Sequence, residues 1–231
     1  MAERPVFIPS RKSGRLVEEI SISFPWHKGM GPSQKKKNVV ELHTAAARRA
    51  LEPLLEVSSK SEEKLGQRLS AFNLPVELDE GGFVPLECAF QGSKVFEDGG
   101  PYTDLFCVDS RSAKRDERLS SSGKLVGFRF EGQDFPLTPK TAFYDWLYIN
   151  SLYRHRDFLQ RLHSYAGFTD IEFNPAKSIN CQARSCATFV ALDRLGLLDQ
   201  CARSSARFMQ VLLPDSIEQP HSDKERQASM F

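Results

Sequence analysis

Pro85-Leu86-Glu87-Cys88-Ala89-Phe90-Gln91-Gly92-Ser93-Lys94 is the stretch from which the rest of the chain is best placed. Pro85 suits the first position of a helix, where its missing N–H costs nothing and its fixed φ matches the helical backbone. Glu87, Gln91 and Lys94 then stand at i, i+4 and i+7, so a carboxylate, an amide and an amine share one stripe. Leu86, Ala89 and Phe90 form the adjoining apolar stripe, which needs a core to dock on. A rigid element presenting catalytic groups has this pattern, and so does an amphipathic helix with a solvated face. Spacing alone does not separate the two.

Before this stretch, Pro5 to Ile8 and Val17 to Phe24 read as strands, the second alternating Ile20, Ile22 and Phe24 against polar residues. After the Gly29 to Pro32 breaker, Ser33 is placed to cap a helix through Val39, Leu42, Ala46 and Ala50 that stops at Pro53. Leu54 to Val57 reads as a short strand and Ser61 to Leu69 as a turn of helix. Val76 to Leu78 reads as a strand turning at Gly81-Gly82. Beyond the opening stretch, Asp104 to Val108 is expected as a strand, Ser110 to Arg115 as a short basic helix and Leu125 to Phe130 as a sheet strand. Thr141 opens what reads as the longest helix, through Phe143, Trp146, Leu147, Leu152, Phe158 and Leu162 to the break at Gly167. Ile171 to Pro175 is expected to be extended. Helices follow from Asn180 or Cys181 and again after Gly196, the last ending at Pro214. The class is α+β, mainly helical with short antiparallel strands.

With 231 residues, 40% of them hydrophobic and 26% charged, the chain has the composition of a soluble globular protein with one core. Residues 1–213 are expected to form a single domain and the polar residues 214–231 a disordered tail. A formal net charge of +1 supplies no global field for nucleic acid. Clusters such as Lys35-Lys36-Lys37 and Arg154-His155-Arg156 are local, and read as solvated faces unless the fold gathers them. The N-terminus has no signal-peptide core and no apolar run is long enough to span a bilayer, so a cytoplasmic protein with no membrane partner is expected. Cys88, Cys107, Cys181, Cys186 and Cys201 are odd in number and scattered, as reduced, mostly buried thiols would be. No phosphate loop, dinucleotide fingerprint or nucleophile elbow is present. Cys181 with Cys186, and His155 with His163, lack the second ligand pair a zinc site needs, so no metal and no cofactor is expected.

Several segments, in order, resemble the NADAR (YbiA-like) family. Leu69-Ser70-Ala71-Phe72-Asn73 is similar to the family's L-S-N-F-Y segment, and Pro85 to Lys94 to its Y-P-S-x-E-H-x-F-Q-A-x-K helix. Ser112-Ala113-Lys114-Arg115 resembles its A-K-R element, Asp145-Trp146 its Trp-bearing helix, and Ser178 to Arg184 its late G-x-N-x-L-G helix start. The likeness covers roughly residues 64–195, leaving 1–63 as an N-terminal strand and helix extension. Ala71 and Cys88 replace the family's asparagine and histidine, and the Asp-x-x-Trp-Gly element is missing, which marks a divergent branch. The wording of Lys64 to Asn73 and Phe168 to Pro175 resembles NADAR proteins paired with DarT-type DNA ADP-ribosyltransferase toxins.

That resemblance implies an antitoxin with a cognate DarT-type toxin, a hydrolase that removes ADP-ribose from the exocyclic amine of guanine in DNA, single-stranded DNA being the expected form. Two other readings stand beside it: an N-glycosidase of riboflavin-pathway intermediates, and a non-catalytic antitoxin that only blocks its toxin. On the first reading Glu87 is the proton shuttle. The C–N bond breaks either through an oxocarbenium-like state that water attacks or through ring opening to an imine; the second route needs an amine, either Lys94, which shares a predicted face with Glu87, or Lys114, which has Arg115 as a cationic neighbour. Phe72, Tyr102 and Trp146 are candidate stacking faces, although aromatics at helical spacing usually pack inward. Ser70, Gln91, Glu172 and Asn174 are candidate cleft residues, Arg115 could hold diphosphate, and Asp145 a ribose hydroxyl. Asn180 could use its amide on ribose, or simply cap the helix that follows.

Overall fold

The computed structural model describes residues 1–10, 15–29 and 31–216. In chain order the first elements are β1 (Ala2–Pro9), β2 (Val17–Phe24), α1 (Pro32–Ala47), β3 (Leu54–Glu56), α2 (Lys64–Arg68), β4 (Pro75–Glu77), β5 (Phe83–Pro85), α3 (Leu86–Gly92) and β6 (Lys94–Phe96). There follow α4 (Ser110–Lys114), α5 (Arg118–Ser121), β7 (Leu125–Phe130), β8 (Gln133–Phe135), α6 (Ala142–Tyr153), α7 (Arg156–Leu159), β9 (Gly167–Thr169), α8 (Gln182–Arg194), α9 (Leu198–Arg203) and α10 (Ser205–Ser216). This is the expected α+β class with short sheets.

β1 and β2 pair antiparallel over their whole length, from Ala2 opposite Phe24 to Pro9 opposite Val17. The sheet runs β2-β1-β9-β3, and its β3–β9 edge is parallel whereas the other strand pairs among the described residues are antiparallel. That parallel pair brings together residues more than a hundred positions apart, so Glu56 stands opposite Thr169 at the foot of the later turns. One apolar cluster joins Val6, Ile22 and Phe24 of the first hairpin to Val39, Leu42 and Ala46 of α1. The larger one is built on α3, α6 and α8 with the aromatic rings of β7 and β8. There Phe128 and Phe135 each lie 4.7 Å from Phe143, and Phe90 lies 5.5 Å from Phe128. Each fully buried ring contributes about 1.5–3 kcal/mol by its removal from water, which anchors α3 firmly.

Some expected elements differ. α1 starts one residue before Ser33, with Pro32 at its first turn and Gly31 as N-cap, and ends at Ala47; Ala50 has φ +57° and lies outside the helix. Asp104 to Val108 is not a strand but a 3-10 turn over Thr103–Cys107. It has no strand edge to join, since β6 pairs with β7, and it packs so closely on α3 that a Cβ on Gly92 would lie 2.6 Å from the Phe106 ring. The long helix from Thr141 is broken after Tyr153. A straight helix to Leu162 would run about 30 Å and carry that residue off the core; instead α7 and a 3-10 turn over Gln160–Ser164 fold Leu159 and Leu162 back into it. The final helix continues past Pro214 to Ser216, and the rest of the expected tail lies outside the described residues.

Candidate active site

The cleft begins with the way α3 is capped. Pro85 is its N-cap, with φ −59° and ψ 141°, and no side chain caps the first turn. Backbone carbonyls of the preceding motif do so: Leu86 N–H donates to the Leu74 carbonyl at 2.9 Å and Glu87 N–H to the Ala71 carbonyl at 3.1 Å. Free first-turn N–H groups of a helix must be met somewhere, and here they bind the Leu69 to Leu74 segment to the helix that carries Glu87. That segment is held from its other side too. Tyr148 Oη donates to the Leu69 carbonyl at 2.7 Å, and the Ala71 N–H donates to Gln182 Oε1 at 2.7 Å.

All seven residues of α3 are buried, so the polar stripe does not face solvent. Glu87 and Gln91 are each 6% exposed. The helix stops at Gly92, with Ser93 as C-cap, so Lys94 is not its third stripe member but the first residue of β6. It reaches the same place nonetheless, 3% exposed, with Nζ 5.2 Å from the Phe90 ring centre. Gln91 Nε2 donates to Glu87 Oε1 at 2.9 Å, and Lys114 Nζ lies 3.7 Å from that same oxygen and 5.7 Å from the Phe72 ring. Lys114 arrives on α4, whose N-cap Asp109 accepts from the Arg111 and Ser112 N–H groups. Burial pulls the Lys94 ammonium down to about 8; the charge of Glu87 opposes that pull and the charge of Lys114 adds to it.

These groups line a cleft of about 350 Å³ together with Ser70, Phe72, Glu172, Asn174 and Asn180. Ile171 to Pro175, expected as extended, is instead folded into turns by its own side chains: Asp170 Oδ1 accepts the Glu172 N–H and Asn174 Oδ1 the Ala176 N–H, each at 3.0 Å. Glu172 pairs with Lys35 of α1, which brings one of the basic clusters to the rim. Arg154 pairs instead with Glu77 and is not among the lining residues. Asn180 is not the cap of α8, because Cys181 is. Its Oδ1 is buried without a hydrogen-bond partner, as is Gln91 Oε1.

Four candidates lie outside the lining. Tyr102 is held by Arg118, 4.4 Å from its ring, and by Ser122. Arg115 is exposed at the end of α4. Asp145 is 1% exposed and bound by Arg184 at 2.8 Å and by Ser185, while Trp146 packs 5.1 Å from Phe135. From the same helix it is Tyr144 that lines the cleft, its ring edge-on to Phe90 at 5.1 Å. Asp170, Lys177, Ser178 and Gln182 also line it and were not singled out from sequence. Asp170 and Gln182 do fall inside the family-like segments Phe168 to Pro175 and Ser178 to Arg184, so a signal for their neighbourhood existed.

The fold and site define an α+β protein with a deep cleft in which a buried carboxyl and two amines converge. The sequence model of the DarT1-associated NADAR antitoxins matches residues 2–222, and the chain belongs to that antitoxin family. No curated protein matches it. No helix among the described residues is long and apolar enough to cross a membrane.

Proposed function

We propose that this antitoxin is a hydrolase that removes ADP-ribose from the exocyclic amine of guanine in DNA, and that Lys94 is its reactive amine. The observation that carries the reading is the convergence of Lys94, Glu87 and Lys114 in one cleft, where Gln91 Oε1 and Asn180 Oδ1 are left for a ligand's donors. A lysine attacks only when unprotonated, and burial lowers Lys94 to about 8, so its ammonium gives up a proton readily near neutral pH. Lys114, with its side chain 59% exposed, is placed to hold the charge of Glu87 and of the substrate.

The chemistry balances as follows. The Lys94 ammonium passes its proton by way of the Glu87 carboxylate to the ribose ring oxygen as the bond from that oxygen to the anomeric carbon breaks, and the guanine nitrogen lone pair forms the iminium. The neutral Lys94 amine adds to that carbon. A proton then passes from the lysine nitrogen to the guanine nitrogen, which leaves as the free amine while Lys94 becomes the iminium. Water adds with its proton going to Glu87, collapse frees the Lys94 amine and the open aldehyde of ADP-ribose, which closes to the sugar, and Glu87 hands its proton back to Lys94. The net change is one water consumed.

Incubation with ADP-ribosylated guanosine and with a single-stranded oligonucleotide carrying it tests the reading. Release of ADP-ribose is expected, lowered by about 10²–10⁴-fold in Glu87→Gln, with borohydride trapping an adduct on Lys94. Full toxin neutralisation by a Glu87→Gln, Lys94→Ala double variant would instead establish simple blocking.

A further inference from the structure

Of the three carboxyls that line the cleft, Glu87 has a part in the proposed chemistry and Glu172 is paired with Lys35; Asp170 remains. It is 7% exposed and fixed at both oxygens. Gln182 Nε2 donates to Oδ2 and the Glu172 N–H to Oδ1, each at 3.0 Å. The Gln182 amide cannot turn over, because its Oε1 accepts the Ala71 N–H at 2.7 Å and a flip would set donor against donor. The Phe173 N–H also bears on this carboxyl, and of the four acceptor sites on its two oxygens one is left over for another partner.

Behind this turn, at the parallel strand edge, stands Glu56, 2% exposed. Its Oε1 is bonded to the Ile171 N–H at 2.9 Å and to Ser58 Oγ at 2.6 Å, and its Oε2 to Thr169 Oγ1 at 2.8 Å. The same threonine hydroxyl lies 2.8 Å from His43 Nε2. A hydroxyl carries one proton, so either His43 donates to Thr169 and Thr169 to Glu56, or a protonated Glu56 donates to Thr169 and Thr169 to His43. The line accommodates both protonation states of Glu56 without moving a heavy atom.

We infer that Asp170 is a second acid–base carboxyl of this cleft, the group that carries the proton from the lysine nitrogen to the departing guanine nitrogen. The inference rests on the hydrolytic reading above. The Asp170 carboxyl proton goes to the guanine nitrogen as the bond from the anomeric carbon to that nitrogen breaks. The resulting carboxylate takes the proton of the Lys94 nitrogen, so Asp170 ends as it began. A group that must both give and take a proton works best with its pKa near the working pH.

The surroundings agree. Burial pushes Asp170 up to about 7, with the charge of Glu172 adding to it, and pushes Glu56 up to about 8, with the charge of Asp170 adding there. Of the other groups facing Asp170, Arg4 of β1 favours its ionised form. Tyr144 and Tyr148 of α6 and Cys181 at the start of α8 are raised by burial, so they stay neutral and supply no countercharge. His43 of α1, beyond Thr169, is held neutral by burial at about 4.

The test is the pH profile of kcat/KM for ADP-ribose release from ADP-ribosylated guanosine, measured with melting temperature for the full chain. Asp170→Asn is expected to lose about 10²-fold and the alkaline limb of the profile. Glu56→Gln does not touch the cleft, and Glu56 keeps its proton to higher pH than Asp170, so this variant should leave the limb in place with KM little changed. An Asp170→Asn protein with a wild-type profile and only a lower melting temperature overturns the inference, as does loss of the limb in Glu56→Gln, which would assign it to Glu56. If the wild type releases nothing, the functional reading and the inference fall together; if it turns over and only the variants disagree, the inference alone falls.

Discussion

Two buried polar clusters border the cleft, one around Glu87 and one around Glu56, and they are completed to different degrees. Both Glu56 oxygens have hydrogen-bond partners, from Ser58, Thr169 and the Ile171 backbone. Around Glu87, Gln91 Oε1 and the nearby Asn180 Oδ1 have none. A buried acceptor left without a donor costs about 1–3 kcal/mol, and Lys94 adds the cost of a desolvated amine beside them. The first cluster satisfies itself. The second is finished only when a ligand supplies its donors, which is where strain on stability is tolerated for function.

Lys94→Met should break that contrast most severely. ADP-ribose release is expected to fall about 10⁴-fold or more, the scale seen when a covalent catalyst is removed. The melting temperature at pH 7 should rise, because a lysine whose folded pKa lies at about 8, below its ordinary value of 10.5, penalises the native state at every pH under 8. Each kcal/mol gained is worth about 2–4 °C in a chain of this size. A lower melting temperature together with retained turnover would mean that Lys94 is structural.

Gln91→Leu sharpens the comparison at intermediate size. It removes an orphaned oxygen and a bond to Glu87, so stability should change little while ADP-ribose affinity, read by calorimetry, falls about 10-fold, the value of one hydrogen bond. Unchanged affinity would mean that the oxygen meets no ligand.

The smallest effect belongs to the completed cluster. Glu56 has a folded pKa raised to about 8, so its stabilising contribution is complete below its ordinary value of 4.5 and is lost as pH rises through 8. The melting temperature of Glu56→Gln should therefore gain on that of the wild type between pH 5 and pH 8. A difference between the two that stays constant over this window would show that Glu56 is ionised throughout.

Much of the scaffold was legible. Alternation in Val17 to Phe24 and Leu125 to Phe130 marked strands that the structure has, and Ser110 to Arg115 a helix it has. Asp104 to Val108 misled because a short apolar run carries no information about which edge it can join. The long helical pattern after Thr141 misled because the apolar spacing continues across a bend that only the core requires. In the cleft, the stripe of Glu87, Gln91 and Lys94 was read from helical spacing, yet Lys94 arrives as the start of a strand. Tyr144 was passed over for its neighbours Asp145 and Trp146, since residues in succession differ by about 100° around a helix and no local pattern says which of them meets the cleft.

The sequence by itself determined which groups exist to do chemistry and where helices and most strands begin, because propensity, capping and apolar period act over a few residues. Only the tertiary structure decided that the Ala71 carbonyl caps the Glu87 helix, that Lys114 and Lys94 converge on one carboxyl, and that Asp170 stands before Glu56. Those relations join residues far apart in the chain, and burial, which shifts the protonation of Lys94, Asp170 and Glu56, is a property of the packed whole.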